Sequence, residues 1–412
     1  MATYFLQTVP DIVDTNLSLD EKLKATVNNT GNYFFEYAVK NQLSNYRCIN
    51  RLDDIPFNCE KLILSMSNFL SPFTDLGFIA DKLVEKKVQQ IVMIGAGAQA
   101  NSYNEEIVLT KGTERFLKVI ADLSVSVGAR GYFTQHIMNS YGVHNVDVIG
   151  CPSIFLHKNR NFTVNARELP EDPKIAVHYT PTGHYRDNIS HINNFALKNA
   201  SAYIAQSELD LVEMYQNDNV QYMFKYYNNG KFTPVELRDW FLKHTKWFFD
   251  MKSWIEFMGQ LDFSVGTRFH GNMSAIQSDV PALNLTFDTR TRELCEYLNL
   301  PTYPLHSFDE RTTLDELYSL ADYSLFNQTY AKRYDKYAGF LTKNGVENSL
   351  GSPIFGSGDL SSKIAASNIE NLLGSLEIDE ISPELFLRYV KDYMVPTRSL
   401  EDRKKAEAGG FQ

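Results

Sequence analysis

Apolar residues in the first half of the chain form short solid runs. Between the runs, apolar positions recur every three or four residues. Solid runs read as strands buried on both faces, and the intervening periodicity as amphipathic helices. Strands are expected at residues 61–66, 90–94 (ending at Gly95), 124–127 and 146–149. Helices are expected at 78–86, 113–123 and 133–141, with Gly142 ending the last. Residues 157–173 break the pattern with His157-Lys158-Asn159-Arg160-Asn161 and Leu169-Pro170-Glu171-Asp172-Pro173. The alternation then resumes, with strands at 174–179, 202–205, 261–265 and 282–287 and helices at 209–215, 254–258, 272–278 and 292–298. Residues 310–395 read as mostly helical with a loop near 345–358, and 401–412 as a polar, mobile tail carrying Arg403-Lys404-Lys405. Alternating strands and helices imply parallel sheets in an α/β layer fold. No fixed-period repeat is present. The expected architecture is GT-B-like: Rossmann-like domains at 1–165 and 166–310 facing a cleft, followed by a helical extension and tail at 311–412.

Composition narrows this only slightly. The 412 residues are 43% hydrophobic and 22% charged, close to a globular average, which excludes a disordered chain, a collagen-like repeat and a disulfide-dense miniprotein. A net charge of −10 argues against nucleic acid as a partner. It also disfavours unassisted binding to anionic lipid, although a cleft can still gather positive charge locally. Cys48, Cys59, Cys151 and Cys295 form no CxxC pair and stand at no zinc-ligand spacing from a His, so buried thiols in a reducing compartment are expected. No metal is called for. The N-terminus does not read as a secretory signal, and no segment reaches 18 apolar residues. The aromatic share of 13%, with 27 Phe and 23 Tyr, is high. Rings can line a sugar site, but core packing is their commoner use.

Ligands of parallel sheets bind beyond the carboxyl ends of the strands, so the loops there carry the candidates. The strongest is Gly266-Thr267-Arg268-Phe269-His270-Gly271, between strand 261–265 and a helix expected from Asn272. As an extended segment it would project Arg268 and His270 to one side and Phe269 into the core. The helix N-terminus behind it favours anions, and His270 suits proton transfer. A surface arginine and a core histidine are the bland alternative. Gly128-Ala129-Arg130-Gly131 is placed similarly, with Thr134 as a candidate N-cap; a solvated loop arginine explains it equally well. Gly95-Ala96-Gly97-Ala98-Gln99-Ala100 matches a dinucleotide fingerprint, but polar residues 101–112 follow and the next strand ends without an acid. A tight glycine turn beside the cleft, containing Gly97, is the better reading. Asn29-Thr30-Gly31-Asn32-Tyr33 opens a helical run, where Asn32 could meet a sugar or phosphate or serve only the cap; Asn68, after strand 61–66, has the same status. Asp288 could cap the next helix or hold Arg290. The polar, aromatic loop 179–186, with Thr180, could line a sugar site.

The run Asp262-Phe263-Ser264-Val265-Gly266-Thr267-Arg268-Phe269-His270-Gly271-Asn272-Met273, followed by Val280-Pro281-Ala282-Leu283, Phe287-Asp288, Arg290 and Glu293, resembles the signature of the polysaccharide pyruvyl transferase family. Asn29 to Ala38, Arg130 with Thr134 and Gly142, and Gly150-Cys151-Pro152-Ser153 extend the resemblance more weakly. At Cys151 the family more often has an aspartate. The resemblance spans roughly residues 28–305 and leaves 306–412 unmatched.

It implies a GT-B-like transferase that moves the enolpyruvyl group of phosphoenolpyruvate onto a sugar or lipid-linked glycan. The product would be a ketal, with phosphate released, in a bacterial capsule or exopolysaccharide pathway. Phosphoenolpyruvate would be a substrate, with no cofactor. The setting implied is cytoplasmic, at or near the inner membrane face, with peripheral membrane association as one option. On this reading Arg268, Arg130 and Gly271 bind the donor and His270 is the acid/base, while Asn32, Asn68, Gly97 and Thr180 line the cleft. A GT-B nucleotide-sugar glycosyltransferase is the alternative, in which Glu293 could hold a ribose. A catalytically inert binding or scaffold protein is the third reading.

Overall fold

The computed structural model describes residues 2–9, 17, 19–180, 185–208, 211 and 232–350. The expected helix 209–215 apart from Leu211, part of the loop 179–186, and everything expected beyond residue 350 lie outside the described residues.

Among the described residues, twelve strands divide equally between two all-parallel sheets. The first contains β1 (Thr3–Leu6), β2 (Arg47–Ile49), β3 (Lys61–Ser65), β4 (Ile91–Ala96), β5 (Val127–Ala129) and β6 (Val146–Val148), in the order β2-β1-β3-β4-β5-β6. The second contains β7 (Ile175–His178), β8 (Ala200–Ile204), β9 (Thr245–Lys246), β10 (Phe263–Gly266), β11 (Ala282–Thr286) and β12 (Thr302–Pro304), in the order β12-β11-β10-β7-β8-β9. Numbered within its own domain, the second sheet runs 3-2-1-4-5-6, the Rossmann order, and reverses direction between β7 and β10. That crevice holds the Arg268–His270 segment.

The two-domain α/β fold expected from the sequence is thus the fold observed. β3, β4, β7, β10 and β11 are buried at every position, as expected where helices cover both faces of a sheet. One expected strand moves: residues 124–126 lead into β5 rather than forming it. Ser124 instead ends the preceding helix, and the Ser126 N–H donates to the Asn344 side chain at 3.2 Å.

The helices that build the site lie at strand carboxyl ends. They are α2 (Thr30–Gln42), after α1 (Leu19–Ala25); α5 (Tyr132–Ser140), after α3 (Gly77–Glu85) and α4 (Lys111–Leu123); and, following α6 (Arg186–Asn199), α7 (Pro234–His244) and α8 (Met251–Met258), α9 (Phe269–Ile276) and α10 (Thr289–Leu298). The helix expected from Asn272 starts three residues earlier. Arg268, extended at φ −82°, is its N-cap, and His270 lies in its first turn. The expected same-side projection of an extended Arg268–His270 segment is therefore not what forms, although Phe269 does enter the core as expected.

Helix α2 is wedged between the domains. Asn29 caps it by accepting the Gly31 N–H at 2.9 Å, and Phe34 meets Trp254 of α8 edge-on at 5.4 Å. Gly95, at φ +83° in a register irregularity of β4, lets α2 pack close: a Cβ there would stand 2.7 Å from the Phe35 ring. After α11 (Leu314–Ser319), the long α12 (Ser324–Lys343) straps the domains together. Just before it, the Tyr323 hydroxyl donates to the Ala282 carbonyl of β11. Tyr330, Tyr334 and Tyr337 pack around Phe155, and Lys343 pairs with Asp147 of β6 at 2.7 Å.

Candidate active site

The loops at the carboxyl ends of both sheets meet one another. Thr289 Oγ1 and N–H engage the Ala100 backbone, Gln99 reaches Asp288, and the Thr30 N–H donates to the Gln206 carbonyl at 3.0 Å. Glu293 of α10 closes the N-terminus of α5 by accepting the Thr134 N–H at 2.9 Å and lying 2.6 Å from its hydroxyl. Gly131, not Thr134, is the α5 cap residue. A Cβ on it would strike Glu293.

From the first domain, Arg130 leaves β5 and turns inward, 2% exposed. One terminal nitrogen donates to Asn68 Oδ1 at 2.9 Å, and the guanidinium lies over the Phe35 ring at 5.2 Å. Asn68 is left-handed, at φ +55°, and Gly97 has no side chain to separate the pair: a Cβ there would lie 3.2 Å from both Arg130 and Asn68. Asn68, Gly97 and Arg130 are thus brought together as one unit. The Arg130 Nε is buried without a hydrogen-bond partner, and no carboxylate lies within ion-pair distance among the described residues. Such a cation is costly to bury and is suited to an anionic ligand.

From the second domain, His270 rests against Phe34 at 5.8 Å between ring centroids, with Nε2 3.7 Å from Cys151 Sγ. Burial first, then the positive charges of Arg130 and Arg290, hold its pKa well below the ordinary histidine range. Arg290, in the first turn of α10, is partly exposed, and Asp288 Oδ2 lies 3.5 Å from it. Asp288 does both things foreseen for it, since it also caps α10 through the Thr291 N–H. Arg130, Arg290 and His270 therefore form one electropositive cluster at the domain junction.

Arg268 is engaged elsewhere. Its Nε and one terminal nitrogen donate to Glu208 Oε1 at 3.0 and 2.6 Å, and the other oxygen of this buried carboxylate accepts the Ser207 N–H at 2.8 Å. The Arg268 N–H donates to His178 Nδ1 at 3.2 Å, while His178 Nε2 faces Asn272 Oδ1 at 3.1 Å and Ser264 Oγ at 3.2 Å. Burial pushes His178 down to about 3, so it is a neutral brace for the β10–α9 turn. Gly271 admits that brace, because a Cβ there would stand 2.7 Å from the His178 ring.

The remaining candidates are local. The Asn32 side chain donates back to the Thr26 carbonyl at 3.2 Å, which fits the capping alternative. The Thr180 N–H donates to Thr267 Oγ1 at 2.7 Å, and its own hydroxyl is buried without a partner. Arg290, Gln206, Glu208 and His178 were not among the expected site residues. Arg290 carried a readable signal, since it follows the end of β11 as Arg130 follows β5. Gln206 and Glu208 carried none beyond a polar loop. Among the described residues no cluster of three or more His, Cys, Asp or Glu could hold a metal, and no helix is long and apolar enough to cross a membrane.

The sequence profile of the polysaccharide pyruvyl transferase family matches residues 1–289, well over half the chain. The chain belongs to the polysaccharide pyruvyl transferase family. It is accordingly a transferase, and the family implies a sugar acceptor. No curated protein matches it by sequence. Among the solved structures it resembles at low identity are three with bound UDP or a UDP-sugar. The Anabaena protein HepE in complex with UDP and glucose is 8% identical, with a TM-score of 0.41 over 84% of this chain and 95% of that one. UDP-GlcNAc 2-epimerase from Neisseria meningitidis bound to UDP-GlcNAc is 14% identical, with a TM-score of 0.39 over 80% and 85%. S. aureus MnaA with UDP is 11% identical, with a TM-score of 0.38 over 82% and 91%.

Proposed function

We propose that this member of the family transfers the enolpyruvyl group of phosphoenolpyruvate onto a sugar of a bacterial surface polysaccharide or its lipid-linked precursor, in the cytoplasm or at the inner membrane face. The observation that carries the reading is the buried Arg130 guanidinium, with no carboxylate of the described residues in ion-pair distance, grouped with Arg290 and His270. The donor bears a phosphate and a carboxylate, and two guanidiniums answer two anions. Arg130 and Arg290 are the donor ligands on this reading. Arg268, expected in that role, instead fixes Glu208 and the backbone at Ser207. Asn68 and Gly97 orient Arg130. Gly271 and Thr180 shape the second-domain wall, and Asn32 supports the helix start opposite.

The chemistry needs a proton delivered to the enol carbon, attack of a sugar hydroxyl on the resulting cationic carbon, loss of phosphate, and closure by a second hydroxyl. Two hydroxyl protons are released and one proton enters the methyl group, so the remainder leaves on phosphate. Cationic groups at the donor stabilise departing phosphate, and His270 is the one titratable ring among them able to give and take a proton.

The alternative, a nucleotide-sugar glycosyltransferase, wants a second-domain acid free for a ribose. Glu293 was the candidate, and both its oxygens are already on Thr134. Turnover assays with phosphoenolpyruvate and with UDP-sugars, each against a panel of glycan acceptors, separate the two. Phosphate release and acceptor-dependent product only with phosphoenolpyruvate support the proposal. Turnover only with a UDP-sugar overturns it.

A further inference from the structure

Among the described residues His270 has no carboxylate partner. Nε2 faces the Cys151 thiol at 3.7 Å, and Sγ in turn lies 3.0 Å from Ser153 Oγ. Cys151 is fully buried and follows β6 through Gly150, so it belongs to the opposite domain from His270. On the other side of the ring, Nδ1 faces the first turn of α2, where a Cβ on Gly31 would stand 3.0 Å away. From α2 the neighbours are Phe34 and Phe35, and from the loop after β8 it is the neutral Gln206, also close to Gly31. The charged groups acting on the ring are Arg130 and Arg290, both positive. Cys151 and Glu293 act on Arg130, and neither is among the charges acting on His270.

We propose that Cys151 is a positioning residue that gives His270 a thiol rather than a carboxylate as its partner, so that His270 is uncharged in the free protein and takes up a proton only when an oxyanion settles between Arg130 and Arg290. A third positive charge beside two guanidiniums is unfavourable until an anion offsets them. A thiol can meet Nε2 without adding the negative charge that would protonate the ring beforehand. His270 is loaded with its proton by the arrival of the anion itself, taken from solvent. The acid is then present when the donor is, and absent when the site is empty. That last step rests on the function proposed above. The coupling of proton and anion does not.

The experiment uses the full chain and sulfate, an oxyanion that does not itself titrate near neutrality. Calorimetric titrations at pH 7 in buffers of different ionisation enthalpy give the number of protons taken up per sulfate bound. The wild-type protein takes up close to one, and by linkage its sulfate affinity falls about tenfold per pH unit above neutrality. His270→Gln abolishes the uptake while sulfate still binds. Cys151→Asp places a carboxylate beside the ring, charges it in advance and removes the uptake, whereas Cys151→Asn, of the same size and neutral, keeps it. A merely structural Cys151 would make Asp and Asn behave alike. Absence of sulfate binding, binding without proton uptake, or equal uptake in Cys151→Asp and wild type each overturns the inference. Because no turnover is measured, failure of pyruvyl transfer with the uptake intact counts against the proposed reaction alone.

Discussion

Glu293 of the second domain caps a helix of the first: its carboxylate accepts the Thr134 N–H at 2.9 Å and meets the Thr134 hydroxyl at 2.6 Å. The contact ties the domain carrying Arg130 to the one carrying Arg290. Burial raises the Glu293 carboxyl to about 7, outweighing the lowering by Thr134 and Arg130.

The folded chain therefore holds a proton at Glu293 between about pH 4.5 and 7 that the unfolded chain has released, and unfolding free energy falls as pH rises through that window. The stabilising effect of the protonated form is complete below the window and lost above it. Its size is on the order of 3 kcal/mol. Glu293→Gln keeps both contacts, since its amide can accept from the N–H and donate to the hydroxyl. Denaturant titrations from pH 5 to 8 should show this variant matching wild type at the acid end, exceeding it at the alkaline end, and losing the slope between. An unchanged slope would remove Glu293 as its source.

Arg268 and Arg290 should behave differently, although both are arginines following a strand of the second sheet. Arg268→Met leaves Glu208 buried without its cation, a change that typically costs about 3–5 kcal/mol. Its first effect should appear in thermal stability. Arg290→Gln removes a partly exposed cation held by Asp288, and should leave stability within about 1 kcal/mol while raising the donor KM. The reverse pattern would return Arg268 to the donor.

Much of this was legible in the sequence. Solid apolar runs gave β3 to β8, β10 and β11, because strands of a covered parallel sheet bury both faces, while the short β1, β2, β9 and β12 were not expected. The carboxyl-end rule then led to Arg130, His270 and Asn68, which do converge. The pairing of Arg268 with Glu208 was not legible, because Glu208 comes from a distant strand end and nothing in a linear pattern joins the two. The helix around His270 began early because His178, invisible as a partner in the sequence, ties down the Arg268 N–H and lets the next residue start the turn. The aromatic excess, read as a hint of sugar binding, is heavily used in packing. Phe155 stacks on Tyr337 at 5.2 Å, and Tyr330, Phe162 and Phe326 continue the cluster along α12.

That packing is also testable. The Tyr337 hydroxyl donates to Gln42 Oε1 at 2.8 Å, fully buried, across the joint between α12 and α2. Tyr337→Phe strands the Gln42 oxygen and should cost about 1–3 kcal/mol in denaturant unfolding. Donor binding should be unaffected at temperatures where the variant remains folded. A cost near zero would mean that the strap contributes through its rings alone.

In the proposed reaction His270 is the acid/base. His270→Gln should lower kcat by about a hundredfold to ten-thousandfold, the usual range for a lost acid/base, with circular dichroism and donor binding close to wild type. Near-normal kcat would transfer the role to another group.

The fate of the enol carbon in deuterium oxide tests the proposed transfer at the bond where it occurs. Phosphoenolpyruvate and an accepted glycan, turned over by the full chain in that solvent, should yield a pyruvate ketal whose methyl group bears a single solvent deuterium, with phosphate released in equal amount. Products that keep the original methylene, or phosphate released without any ketal on the glycan, would contradict it.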